Sequence, residues 1–144
     1  MYRKSILFIF TFLISINLLA QSNCLKNDIQ TYYLDNCENK SLNSEKDSIT
    51  ICFEYGFSEE TQVYLNDNLV LHKKLEQLES ISSTNQTITC DFVKYGKYPT
   101  LKIYLLKSKG VLDVVLNSRY NFLFINKLEG KWSLIYRNTP IARE

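Results

Sequence analysis

From Ser48 to Tyr136 the chain alternates apolar and polar side chains with a period of two, and that rhythm restricts this stretch to β structure. Ile49, Ile51, Phe53, Tyr55 and Phe57 share one face of an extended segment, with Thr50, Cys52 and Glu54 on the other. Val63 and Leu65 continue the pattern. Asn66-Asp67-Asn68 then supplies residues that tolerate left-handed backbone angles before Leu69 to Leu71, which reads as a hairpin. A further strand is read over Thr87 to Tyr95, with Ile88, Cys90 and Phe92 on one side, and Gly96 to Thr100 breaks it. Leu101–Leu105, Val111–Leu116, Tyr120–Ile125 and Trp132–Tyr136 complete the series, separated by turn residues at 108–110, 117–118 and 128–131.

No long amphipathic helix lies between these strands, which disfavours a parallel βαβ plan. Residues 73–83 are mixed and fit a short helix or a loop. The pattern predicts an all-β domain over residues 48–144, an antiparallel β-sandwich of immunoglobulin-like type with about seven or eight strands. Trp132 sits in the last strand and not between two cysteines, so the antibody-type subclass is not supported. Residues 21–47 are polar and irregular, and read as an arm preceding the domain. The segment Phe122 to Tyr136 is apolar on both faces; one face is expected to pack into the core, the other to be covered by the arm or a partner.

The N-terminus carries a different signal. Arg3 and Lys4 precede an apolar run from Ile6 to Ile16, followed by Leu18, Leu19 and Ala20, and polarity rises abruptly at Gln21. That layout is a secretory signal peptide ending at Ala20, too short to serve as a membrane span. Cys24 lies close to the cut, but Gln21 and Asn23 occupy the positions where a lipidated cysteine needs an apolar and a small residue. The expectation is a periplasmic or secreted protein with no stable membrane span after cleavage.

Cleavage leaves 124 of the 144 residues, with 15 basic and 15 acidic side chains. This is one domain's length, and enough to bury a core without a metal. The charges are uneven. Residues 21–67 hold three lysines against nine acids, and residues 68–144 hold twelve bases against six acids. Two packed halves of opposite sign are the expected reading. Export, zero net charge and the lack of a basic cluster exclude a nucleic-acid partner. Cys24, Cys37, Cys52 and Cys90 are separated by 13, 15 and 38 positions, which suits disulfides in an exported chain and not a zinc site. Cys24–Cys37 is the favoured bridge. Cys52 and Cys90 then remain as a pair, although their strand parity places them on opposite faces.

Catalytic patterns are weak. His72 is the only histidine and lies beside Lys73 and Lys74 at a strand end. Glu59 and Glu60 read as solvated charge in a loop, Ser80, Ser82 and Ser83 lack a nucleophile-elbow context, and four glycines cannot build a phosphate loop. No catalytic residue, metal ligand or cofactor is assigned. The most suggestive stretch is Lys94 to Pro99, where Tyr95, Lys97 and Tyr98 place amphipathic rings beside donors on a turn, a composition favoured at binding hot spots. The expected function is a non-enzymatic, exported protein that binds another protein, as an inhibitor or immunity factor does. The alternatives are a small carbohydrate-binding module, for which the rings would stack on a glycan, and a hydrolase with an unrecognised site.

The export reading has a direct check. Intact mass of the exported protein should correspond to a start at Gln21; a retained Met1, or a lipid mass on Cys24, overturns it.

Overall fold

The structure is a computed structural model that describes residues 28–34, 44–78 and 83–140. In chain order its elements are β1 (Ile29–Tyr33), β2 (Ser48–Phe53), β3 (Glu60–Leu65), β4 (Asn68–Lys74), β5 (Gln86–Asp91), α1 (Phe92–Tyr95), β6 (Thr100–Leu105), β7 (Val111–Val115), β8 (Phe122–Leu128) and β9 (Lys131–Arg137). They form a five-stranded sheet, ordered β1-β9-β8-β2-β5, and a four-stranded sheet, ordered β4-β3-β6-β7.

The inward rows follow from the alternation. Ile49, Ile51 and Phe53 on β2 are fully buried, as are Val63, Leu65, Leu101, Ile103 and Leu112 from the other sheet. Together with Leu123, Ile125, Trp132 and Leu134 they make one core cluster shared by both sheets. Truncating any of the β2 row to alanine costs about 2–5 kcal/mol, because a cavity is left as well as lost transfer energy. Phe57 meets Phe53 edge-on at 5.4 Å and lies 6.1 Å from Trp132, filling one end of the core.

Three sequence expectations are corrected. First, only the four-stranded sheet is antiparallel throughout. In the larger sheet β2 runs parallel to β8, and β1 runs parallel to β9. A two-residue period assigns faces but carries no strand direction. Second, the strand read to Tyr95 stops at Asp91, whose carboxylate accepts the amides of Val93 and Lys94 at 2.7 and 3.2 Å and caps α1. Third, the arm is not wholly irregular, since Ile29–Tyr33 adds a strand beside β9. Within the mixed segment, β4 extends to Lys74, and Leu78 bridges Ser83.

The Asn66-Asp67 hairpin matches its reading. Both residues have positive φ, 46° and 64°, the geometry of a type I′ turn. The charge halves also meet as expected. Of the four lysine–carboxylate ion pairs among the described residues, three join residues 28–67 to residues 68–131, namely Glu45–Lys97, Asp67–Lys102 and Asp28–Lys131, and His72 lies 3.1 Å from Glu60 across the same halves.

Cys52 and Cys90 are not joined to one another. They occupy adjacent strands, but Cys90 stands opposite Ile49 and Cys52 opposite Thr87. They are thus offset by three positions, roughly 10 Å along the strands, and turned to opposite faces. Cys90 belongs to the core cluster, whereas Cys52 and Phe124 are buried on the other side of the sheet, at 6% and 3% exposure. Cys24 and Cys37 lie outside the described residues.

At the end of the molecule where β3 begins and β6 finishes, Glu59 is structural. Its carboxylate accepts the backbone amides of Lys107 and Ser108 at 2.7 and 2.8 Å, while Lys127 donates to the Ser108 hydroxyl at 3.0 Å. Burial pushes the Glu59 carboxyl up, but hydrogen bonds from Ser108 and Lys107, with Lys127 nearby, outweigh it and hold the group below its ordinary 4.5. Gly56 crosses the same end at φ +88°, where an added Cβ would lie 1.6 Å from the Lys127 carbonyl oxygen.

Two outcomes follow. Non-reducing peptide mapping should recover no Cys52–Cys90 peptide, and Cys90 should react with thiol reagents only on unfolding, since burial and then Asp91 push its thiol up to about 11. A depressed carboxyl contributes stability that is present above its unfolded value and lost as pH falls through the folded one. Glu59→Gln should therefore lower Tm at neutral pH, and the gap to wild type should close in acid below the ordinary 4.5. A gap that widens in acid contradicts this role.

Candidate functional site

The opposite end of the molecule carries an open cleft of about 410 Å³. It forms where β1, β7 and β9 finish and the loop into β6 arrives. Tyr33, Glu45, Lys97, Tyr98, Asn117 and Arg119 line it, with Tyr136 and Val115–Leu116 beneath.

Hydrogen bonds hold these loops in place. The Leu116 amide donates to Pro99 at 2.9 Å, and the Lys46 amide donates to Ser118 at 2.7 Å. The Asn117 side chain accepts the Arg119 amide at 3.1 Å, an Asx turn, and the Asn121 amide donates to the Asn138 side chain at 3.2 Å. The walls are thus tied both to one another and to the sheet ends.

Two tyrosines of the lining, Tyr33 and Tyr136, form one wall, with Tyr120 packed against them. Tyr33 stacks on Tyr136 at 5.4 Å with an interplanar angle of 18°, and Tyr120 leans against both at 5.5 and 5.4 Å. Burial, and then the neighbouring Tyr33, hold the Tyr136 hydroxyl well above its ordinary range, opposed by a hydrogen bond from the Asn117 backbone. Tyr136 is therefore a neutral donor–acceptor. The facing wall has Tyr98, 67% exposed, with the Lys97 ammonium 5.4 Å from its ring centroid. Glu45 pairs with Lys97 and holds its ammonium above the ordinary 10.5. Among the described residues no carboxylate pairs with Arg119, so its guanidinium stands at the mouth uncommitted.

The lining is richer in aromatic rings and hydrogen-bonding groups than in carboxylates. Glu45 is the one carboxylate in the lining and is engaged by Lys97, whereas glycoside hydrolysis uses two carboxyl groups. Rings, an amide and an unpaired guanidinium instead offer flat apolar area beside directed donors.

Two of the three residues singled out from sequence, Lys97 and Tyr98, line the cleft. Tyr95 does not: it packs half-buried against the core, and its carbonyl accepts from the Asn66 side chain at 2.6 Å. Tyr33 and Tyr136 were not legible because only the parallel β1–β9 pairing brings the arm to the last strand, and Asn117 and Arg119 were not because their loop meets the cleft through long-range backbone bonds at Leu116 and Ser118. His72 lies elsewhere, on β4, with Nε2 3.1 Å from Glu60 and both side chains about half exposed at 44% and 52%. A shallower surface of about 310 Å³ on the outer face of the four-stranded sheet holds Tyr64 and Tyr104, edge to face at 5.6 Å. Most of its polar side chains are already paired, Lys102 with Asp67 at 2.6 Å and the Tyr64 hydroxyl with Gln62 at 3.1 Å. Among the described residues no group of three metal-ligating side chains comes together, and no helix is long and apolar enough to cross a membrane. No family model matches the chain, no curated protein matches it and no solved structure matches it, so the chemistry of the cleft is read from its own residues.

Proposed function

We propose that the chain is an exported, non-enzymatic binding protein that captures another protein through the tyrosine-lined cleft, in the manner of a periplasmic inhibitor or immunity factor. One observation carries the reading. Tyr98, 67% exposed on the hydrogen-bonded loop into β6, and Tyr33, 48% exposed at the end of β1, line one cleft with the uncommitted Arg119. Tyrosine and arginine are the residue types that dominate interface energetics, and a pre-tied scaffold lowers the entropic cost of docking. Export rests on the N-terminal signal, and a sandwich of immunoglobulin-like layering remains the reading of the architecture.

A glycan is the second reading, favoured by open tyrosine faces next to Asn117. A protein is preferred because exposed apolar surface continues beyond the cleft along β1 and β7. Ile29, Tyr32, Leu34 and Val115 are 37%, 45%, 56% and 59% exposed, a span larger than a short sugar covers.

The test is capture from an envelope fraction by wild type and by single alanine variants, with Tm measured alongside. Tyr98→Ala should leave Tm nearly unchanged and weaken capture roughly thirtyfold, the loss expected of a hot-spot ring worth about 2 kcal/mol. Tyr95→Ala should lower Tm, because that ring packs on the core. His72→Ala should stay within about 0.5 kcal/mol of wild type and retain binding. Normal capture by both Tyr98→Ala and Arg119→Ala removes the cleft from the interface, and glycan-array binding without a protein partner replaces the first reading with the second.

A further inference from the structure

A ligand can use only those polar groups of a cleft that the fold has not already engaged. Glu45 is the one carboxylate among the lining residues, and Lys97 pairs with it. Lys97 is engaged in turn, by Glu45 and by the hydroxyl of Tyr98. The Asn117 side chain accepts the Arg119 amide at 3.1 Å through Oδ1, which fixes the orientation of that side chain. Its Nδ2 end, with two donor hydrogens, is what remains. Tyr136 accepts from the Asn117 backbone, and burial keeps its hydroxyl protonated.

Arg119 completes the imbalance. A guanidinium carries five N–H donors and no acceptor. No carboxylate among the described residues pairs with this one. The open side-chain groups of the lining are therefore the Arg119 guanidinium, the Asn117 amide hydrogens and the tyrosine hydroxyls, in which donors outnumber acceptors. Charge points the same way. The cleft lining holds two cations, Lys97 and Arg119, against the single carboxylate of Glu45. A neighbouring cavity shares Glu45 and Lys97 but adds Lys46 and Asp47, so its two cations meet two carboxylates. The positive excess belongs to the cleft alone of these two.

Building on the reading of protein capture, we propose that the cleft seats an acidic segment of the partner, with a glutamate carboxylate on Arg119 and a flanking aromatic side chain on the exposed ring of Tyr98. A carboxylate is acceptor-only and planar, and it meets a guanidinium through two parallel N–H···O bonds. It also removes the one uncompensated charge of the lining. A basic segment would set donors against donors. Neutral hydroxyl or amide groups donate as well as accept and leave the charge in place, so they match the open groups less well. Glutamine has the shape of glutamate without its charge, and this separates charge recognition from fit.

The probe is the peptide acetyl-Ser-Trp-Glu-Trp-Ser-amide, titrated into the isotopically labelled mature protein beside the same peptide with glutamine at its centre. The glutamate peptide should shift the Arg119 Nε–H and Asn117 Nδ2 signals and bind about tenfold more tightly than its glutamine counterpart. Arg119→Gln should bring the two peptides to one affinity. Lys109→Gln, at an exposed lysine between β6 and β7, should leave their ratio unchanged, and Tyr98→Ala should weaken both alike. No response at Arg119 up to millimolar peptide, equal binding of the two peptides to wild type, or the same loss of discrimination in Lys109→Gln overturns the acidic seat. Dimerisation that Arg119→Gln abolishes overturns it too, by giving the seat to a second copy of the chain. The two readings fail separately. If the peptides bind alike while Tyr98→Ala still releases the envelope partner, capture by the cleft stands without the acidic seat. If discrimination depends on Arg119 while Tyr98→Ala and Arg119→Ala capture the envelope partner normally, the acidic seat stands and that partner docks elsewhere.

Discussion

The rest of the molecule depends on the burial of one row of side chains, Ile49, Ile51 and Phe53 on β2, each fully removed from solvent. β2 lies between β8 and β5, so its backbone is paired on both sides while its inward row meets the other sheet. A strand held in this way cannot slip by one residue without turning that row outward and Thr50 and Cys52 inward. Its register fixes those of β5 and β8, and through β8 the position of β9. The site at the far end is therefore positioned by packing far from it.

The two ends of this core have different chemistry. At one, Glu59, Ser108 and Lys127 satisfy the backbone of a turn, and the approach of Gly56 to the Lys127 carbonyl leaves no room for a side chain. Polar groups there are consumed in holding strands together. At the other end the loops are held by their own backbone and asparagine bonds, which leaves Tyr98 and Arg119 without structural duties. Side chains released from structural work next to a fixed scaffold are those with binding energy to offer.

The electrostatics follow the same division. The acidic first half and basic second half are interleaved, and most ion pairs cross between them. Exposed pairs of this kind add little stability individually. Their consequence is to join the two halves of the sequence across the fold, while Arg119 at the cleft has no ion-pair partner among the described residues.

By itself the sequence determined the two-residue period, and with it which side chains are buried, where the chain turns at Asn66-Asp67 and Glu129-Gly130, and that Cys52 and Cys90 face opposite sides of a sheet. These are local properties, set by side-chain alternation and by residues that accept positive φ. Lys97 and Tyr98 were visible for the same reason, as exposed residues on a turn. Tertiary structure decided strand direction, the docking of Ile29–Tyr33 beside β9, and the assembly of Tyr33, Tyr98, Arg119 and Tyr136 into one cleft. Parallel pairing between residues about a hundred positions apart, as with Tyr33 and Tyr136, leaves no local trace in the chain. It depends on which rows fit together when two sheets close on one core.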